Sequence, residues 1–275
     1  MSSACLERCG LMTALGLFSL TLQAANVPPL RVCADPDNLP YSHADGSGFE
    51  NRIAELLARQ LGRPLQYFWL PQRRGFVGKT LGAGECDLLM GVPADLERVL
   101  TTRPYYRSAY VFVTKATDDA PLRSFDDPRL ATLRVGVQLV GNDLAATPPG
   151  HALVRHGAVQ RVTGYTVFGD GPAAQRMLRS LAEGELDAAV VWGPQAGYFA
   201  QRMGQPMSVQ LAPRPADTPE PFEYAIAMGV TCANTALRDA LNEAMAQRRD
   251  DIDRILRDYA VPRTDLAAQG TEARP

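Results

Sequence analysis

Any chemistry in this 275-residue chain has to be built from 30 acidic side chains, 28 basic ones, three histidines and five cysteines. The usual signatures of covalent and phosphoryl chemistry are absent. There is no G-x-S-x-G, no Walker loop, no H-E-x-x-H, and no cysteine set beside a histidine in a recognisable local context. His43, His151 and His156 lack zinc-ligand spacing and no C-x-x-C occurs, so neither a metal site nor a cofactor is expected. Asp35, Glu50 and Asp143 could carry acid–base work, yet pairs of carboxylates arise by chance in a chain with 30 acids. The residue types point to binding, and no catalytic residue is assigned.

The candidate binding groups gather where apolar runs stop. Asp87-Leu88-Leu89-Met90 is halted by Gly91-Val92-Pro93, the pattern of a central parallel strand ending at an open crevice. Ligands of open α/β sheets sit at such strand ends. Trp192-Gly193-Pro194 stops the run Asp187–Val191 in the same way. Near these ends stand Asp35, Asn38 and Tyr41 in a turn-rich loop, Arg73 in Gln72-Arg73-Arg74, and Arg98 beyond Pro93. Gln138, Gly141 and Asn142 belong to a later strand and the loop that leaves it. Each has an ordinary reading beside the functional one. Asp35 can hold its own turn, Tyr41 and Trp192 can cap a sheet, and Arg98 can be a solvated arginine. Arg73, at a helix start, is poorly placed for the helix dipole, which favours a polar contact across the crevice or with a partner.

The elements that must position these groups follow from periodicity. Leu30–Ala34 reads as a strand, and Phe49, Ile53, Leu56, Leu57 and Leu61 fall on one helix face ended by Gly62. Leu65–Leu70 is a strand, Gln72 onward through Leu81 a helix, and Asp87–Met90 a strand. A short helix is expected at Asp95–Leu100 and a strand at Tyr110–Val113. This alternation predicts a parallel sheet covered by helices. After Lys115 a second lobe is expected, from strands at Leu133–Gln138, Val162–Phe168 and Asp187–Val191, with a helix burying Ala174, Met177, Leu178, Leu181 and Ala182. Gly84-Glu85-Cys86-Asp87 and Gly184-Glu185-Leu186-Asp187 correspond, which suggests two similar lobes. Phe222–Met228 can run beside Tyr110–Val113, and two such crossings would form a hinge. The predicted class is α/β, two lobes, each a mostly parallel sheet flanked by helices and joined by a two-strand hinge. Lobe 1 is placed at 26–112 plus 225–262, lobe 2 at 113–224, and a loose tail at 263–275.

Composition fits an exported globular protein. The chain is 46% apolar and 21% charged with a formal net charge of −2, so nothing in the balance calls for nucleic acid. Arg8, the apolar stretch Leu11–Leu22 and the small residues after it read as a cleaved signal over residues 1–25, too short to span a membrane. The mature chain would begin near Ala25 or Asn26, with no membrane span. Cys33, Cys86 and Cys232 would remain in an oxidising compartment. If the strands carrying Cys33 and Cys86 are neighbours, those thiols can bond and leave Cys232 unpaired; the alternative is three buried free thiols.

The loop after the first strand (Asp-Pro-x-x-x-Pro-Tyr), Gly48-Phe49-Glu50, the Gly-Glu-x-Asp strands, Pro104-Tyr105-Tyr106 and Ile255-Leu256-x-x-Tyr259 together resemble the type 2 periplasmic solute-binding proteins. LRVCADPDNLPYS, GFENRIAELLARQLG, RRGF and MGVPADLERVLTTRPYYRSAYVFVTK resemble the MxaJ/XoxJ-type subgroup, the J proteins of methanol oxidation operons. That resemblance implies a non-catalytic periplasmic accessory protein of a pyrroloquinoline quinone (PQQ)-dependent alcohol dehydrogenase system. Its partner would be the dehydrogenase or its cytochrome c, with a small-molecule ligand also open. The alternative is a substrate-binding receptor of an ABC transporter for a small polar or organic solute. Amino-acid-binding members hold the ligand carboxylate with an arginine after the Gly91-type strand end and the ammonium with an acid where this chain has Trp192. Arg98 could take the first role, but Pro93 offers no hydroxyl or N–H donor. An indole attracts a cation by only about 0.5–2 kcal/mol. Free amino acids are therefore poor candidates.

Overall fold

Short β-branched runs and long 3.6-period stretches become strands and helices over residues 27–116, 120–140, 145–166 and 171–265, which the computed structural model describes. The chain opens with β1 (Leu30–Ala34), the small hairpin β2 (Asp37–Asn38) and β3 (Ser42–His43), α1 (Phe49–Gln60), β4 (Leu65–Trp69) and α2 (Phe76–Lys79). It continues through β5 (Leu88–Pro93), β6 (Leu100–Thr101) and the ten-residue β7 (Tyr106–Lys115). Beyond β7 come β8 (Val135–Val140), β9 (Ala145–Ala146), α3 (Pro148–Arg155), β10 (Val162–Thr166) and α4 (Ala173–Glu183). These are followed by β11 (Ala188–Trp192), α5 (Gly193–Ala200) and β12 (Met207–Leu211). The chain then returns through β13 (Glu223–Val230) to α6 (Thr235–Gln247) and α7 (Arg249–Asp258).

Two parallel sheets meet in the middle. β1 pairs in parallel with β4 and β5, and β8 pairs in parallel with β10 and β11. β7 and β13 join them into one path, β10-β8-β11-β7-β13-β5-β1-β4. The cores respect this division. Phe49, Ile53, Leu57, Tyr105 and Tyr106 pack with Met228, Leu241 and Leu256 in one lobe, while Val111, Met177, Leu181 and Val191 pack in the other. The architecture is the expected two-lobed α/β fold. The helical stripe of α1 leaves Phe49, Ile53 and Leu57 with 0% exposure, and Asn51 Oδ1 accepts the Gly48 N–H at the helix start, 3.1 Å.

The Gly-Glu-x-Asp correspondence has a structural counterpart. Arg31 Nη2 lies 2.6 Å from Asp87 Oδ1, and Arg134 Nη2 lies 2.6 Å from Asp187 Oδ1. In both lobes the arginine fork grips both carboxylate oxygens, and the aspartate N–H donates to the arginine carbonyl at 2.9 Å. Gly84 and Gly184 end the preceding helices at φ 76° and 81°. Each lobe thus ties the start of its first parallel strand to its neighbour with the same clasp.

Several expectations need correction. The hinge pairing is not Tyr110–Val113 with Phe222–Met228. Tyr106–Ala109 pair with Glu223–Ile226, and Tyr110–Val113 turn to β11 on one edge while β12 takes Val111–Lys115 on the other. Val111, Phe112 and Val113 are fully buried and belong to the interior of the second lobe. Asp95–Val99 forms turns instead of a helix before Leu100 enters β6, folding Leu96 and Val99 onto the Cys33–Cys86 cluster. β10 is an edge strand whose Val162 and Tyr165 pack half-buried against the second lobe's cores; residues 167 and 168 lie outside the described residues. Of the segment 263–275 expected to be loose, Arg263–Asp265 is described. The Arg263 side chain is 2% exposed and ion-paired with Asp253 (2.6 Å) and Asp265 (2.5 Å). Ser108 donates to the Pro262 carbonyl at 2.6 Å and the Thr264 N–H to the Arg107 carbonyl at 3.2 Å, strapping this segment over β7.

Candidate functional site

The ends of β1, β5 and β11 converge on an inner cavity of about 190 Å³ lined by Asp35, Tyr41, Glu50, Tyr106, Gly91 and Trp192, among others. An outer cavity of about 270 Å³ adjoins it, with Asp35, Asn38, Gln72 and Arg73 on one side and Gln138 and Gln195 on the other. Both lobes contribute to both spaces. A larger cavity of about 660 Å³, between α5, β12 and Ala260–Pro262, shares no residue with them.

The sequence candidates are distributed as follows. Asp35, Asn38, Tyr41, Gly91 and Trp192 line the inner cavity, and Arg73 and Gln138 line the outer one. Pro93 and Arg98 are exposed and line neither. Gly141 and Asn142 lie outside the described residues. Asp35 is occupied by its surroundings: Oδ1 accepts the Asp37 N–H at 2.9 Å and Oδ2 the Gln72 N–H at 2.6 Å. Its carboxylate fixes the loop that carries Asn38, whose amide donates to Gln72 Oε1 at 3.1 Å.

Trp192, at the end of β11, reaches across to the first lobe. It packs against that lobe's core, edge-on to Tyr110 (5.4 Å) and Tyr224 (5.6 Å). Tyr41 packs on Phe49, and Phe49 on Tyr106. Such edge-to-face pairs each contribute about 0.5–1.5 kcal/mol beyond their buried area, so the inner wall is a rigid aromatic surface.

Sequence reasoning names the group at the bottom of this wall only as one of several chance carboxylates and does not place it in the cleft. Glu50 is 8% exposed and lines the inner cavity. The Tyr105 hydroxyl donates to its Oε1 at 3.3 Å. Burial pushes the carboxyl up to about 8, against a downward pull from Tyr105. Burial, then the nearby Glu50, pushes the Tyr105 phenol well above its usual value, and burial does the same to Tyr41 and Tyr106. The signal was present in the α1 pattern: Glu50, Ile53, Ala54 and Leu57 share one stripe, so a carboxyl stands in a row of buried apolar residues. Gly91 makes room for it. Its φ is 62°, and a Cβ there would lie 2.1 Å from Glu50 Oε1.

Two lobes of parallel sheet, a pair of crossing strands and a cavity at the strand ends define a solute-binding protein. The chain belongs to the bacterial extracellular solute-binding proteins, family 3, whose family model matches residues 30–261. Within that family it falls with the MxaJ/XoxJ-type proteins. It is 34% identical over 258 residues to protein MoxJ of Methylorubrum extorquens AM1, covering 85% of this chain and 81% of that one. To protein MoxJ of Paracoccus denitrificans it is 30% identical over 266 residues, covering 90% and 93%. The crystal structure of the periplasmic binding protein XoxJ from Methylobacterium extorquens AM1 matches with a TM-score of 0.72 and 37% identity, over 85% of this chain and 98% of that one. No helix among the described residues is long and apolar enough to cross a membrane. Cys33 and Cys86 are bonded, with Cα atoms 5.5 Å apart, and Cys232 is free and exposed.

Proposed function

We propose that this protein is a non-catalytic periplasmic accessory protein of a PQQ-dependent alcohol (methanol) dehydrogenase system, acting through its interlobe cleft on the dehydrogenase or its cytochrome c. Residues 1–25 would be removed on export, and the lobes would meet at 112/113 and 224/225. Likeness to MoxJ and XoxJ over most of the chain supports the system. The observation that carries the reading away from an amino-acid receptor is the inner cavity. About 190 Å³ is below the roughly 300–1,000 Å³ of ordinary ligand pockets, and among the described residues its lining holds no arginine, lysine or histidine to receive a carboxylate. Trp192, Tyr41 and the neighbouring strand ends offer an apolar aromatic surface, and aromatic anchors tend to dominate interface energies.

The test is paired. Alcohol oxidation is measured in a strain deleted for this gene, and calorimetry runs the purified protein against an amino-acid panel. Impaired oxidation with no amino-acid binding is expected. Normal oxidation together with micromolar binding of one amino acid would leave the transporter receptor standing instead.

A further inference from the structure

Glu50 is the one feature of the cleft that partner docking does not explain. A carboxyl at the bottom of a cavity, facing aromatic rings and given a single hydroxyl donor, is expensive to bury without a counter-charge. Its surroundings are unusual in composition. Among the described residues the cavity lining carries the rings of Tyr41, Phe76, Tyr106 and Trp192 and the thioether of Met90, with no basic side chain. Asp35, the other lining acid, is already held by two backbone N–H groups. Among the described lining residues an anion would meet two carboxyl groups and no cation. A cation would meet ring faces, which attract positive charge, and one carboxyl group able to give up its proton and pair with it.

We propose that the inner cavity is a binding site for a small primary alkylammonium ion without a carboxylate, its nitrogen on Glu50 and its alkyl group against Trp192, Tyr41 and Phe76. This rests on the cavity itself and stands apart from the dehydrogenase reading. The size limit follows from the volume: 190 Å³ is about six times the roughly 30 Å³ share of a water molecule, room for an ion of a few non-hydrogen atoms. An amino acid's carboxylate would find no basic partner among the described residues of the inner cavity.

Binding has a proton balance that follows from the burial of Glu50. With its carboxyl held up at about 8, the empty site at pH 7 contains the neutral acid. An ammonium ion entering it displaces that proton to solvent: Glu50–CO₂H and R–NH₃⁺ become the ion pair and one released H⁺. Affinity should therefore rise about tenfold per pH unit below about 8 and level off above it. The other groups facing Glu50 are the phenols of Tyr41, Tyr67, Tyr105 and Tyr106, all shifted upward and neutral throughout this range, so they do not blur the profile.

Calorimetry of the purified protein with ethylammonium chloride, repeated at pH 7 in buffers of different ionisation heat, reads both affinity and protons released. Ethanol serves as the uncharged analogue of nearly the same shape. The expected result is saturable ethylammonium binding with proton release approaching one, ethanol at least tenfold weaker, and at least tenfold loss in Glu50→Gln. Absence of ethylammonium binding at 10 mM, binding without proton release, or ethanol binding equally well would each overturn the proposal. The proton count is taken on the unaltered protein, so the test does not depend on Glu50→Gln folding. A normal alcohol-oxidation phenotype in the deletion strain would count against the accessory role and leave this site untouched.

Discussion

Glu50 has a consequence for the free protein even with nothing bound. Its carboxyl titrates at about 8 when folded and near 4.5 when exposed, so between those values the folded state holds a proton that the unfolded chain has lost. Stability therefore falls as pH rises through that window, by up to about 1.4 kcal/mol per pH unit, which is opposite in sign to the usual salt-bridged carboxylate. Urea unfolding from pH 5 to 8 should show this decline, and Glu50→Gln should flatten it. A decline unchanged in the variant would assign it to other groups. The residue scale is also where the sequence was least legible. Asp35, Tyr41, Gly91 and Trp192 line the inner cavity because strand ends in a parallel sheet mark a crevice. Glu50 is named only as a chance carboxylate and not as a cleft residue, although the helical period already sets it among Ile53, Ala54 and Leu57. Pro93 and Arg98 were chosen by their nearness in sequence to Gly91. β5 keeps its pairing with β13 through Pro93, and that carries both residues past the cavity.

At the scale of elements, the parallel strands and the helices flanking them were readable because burial imposes a period on each. The connections were less so, because their form depends on what they pack against. Asp95–Leu100 has three apolar residues at helical spacing, Leu96, Val99 and Leu100, yet instead of a helix Leu96 and Val99 lie in turns on Cys33, Cys86 and Leu89, and Leu100 enters β6. The disulfide beneath them is a property of two adjacent strands: β1 pairs with β5 at Val32–Leu88 and Cys33–Leu89, which brings Cys86 alongside. It closes a separation of 53 residues, for which loop-closure entropy gives a stabilisation of about 4 kcal/mol and measured cases usually give about 2–4. Guanidinium unfolding of Cys33→Ser/Cys86→Ser against the oxidised protein should show a loss of that order. Peptide mapping without reductant should find this linkage and a free Cys232.

On the scale of the whole molecule, the lobes are held together by more than the hinge strands. α5 of the second lobe lies against the chain segment that follows α7, and a Cβ at Gly197 would come 1.8 Å from the Ala260 carbonyl oxygen. Gly197→Ala has to push that helix and the Pro262–Asp265 strap apart. A cost of about 1–3 kcal/mol is expected, as for other overpacked contacts, visible as a lowered melting temperature. An unchanged melting temperature would mean that the strap yields freely.

The strand order also fixes when each lobe can be completed as the chain is made. The Tyr110 N–H donates to the Phe222 carbonyl at 2.9 Å, so the second lobe leaves and rejoins the first at neighbouring points and is, topologically, an insertion. All its strands lie between residues 106 and 211, whereas β13, which stands between β7 and β5 in the first lobe, arrives only at residues 223–230. For a chain emerging N-terminus first, the lobe that begins the sequence has to wait with a gap in its sheet until the inserted one is fully out. The last strand to appear closes that gap and the passage between the lobes in one act.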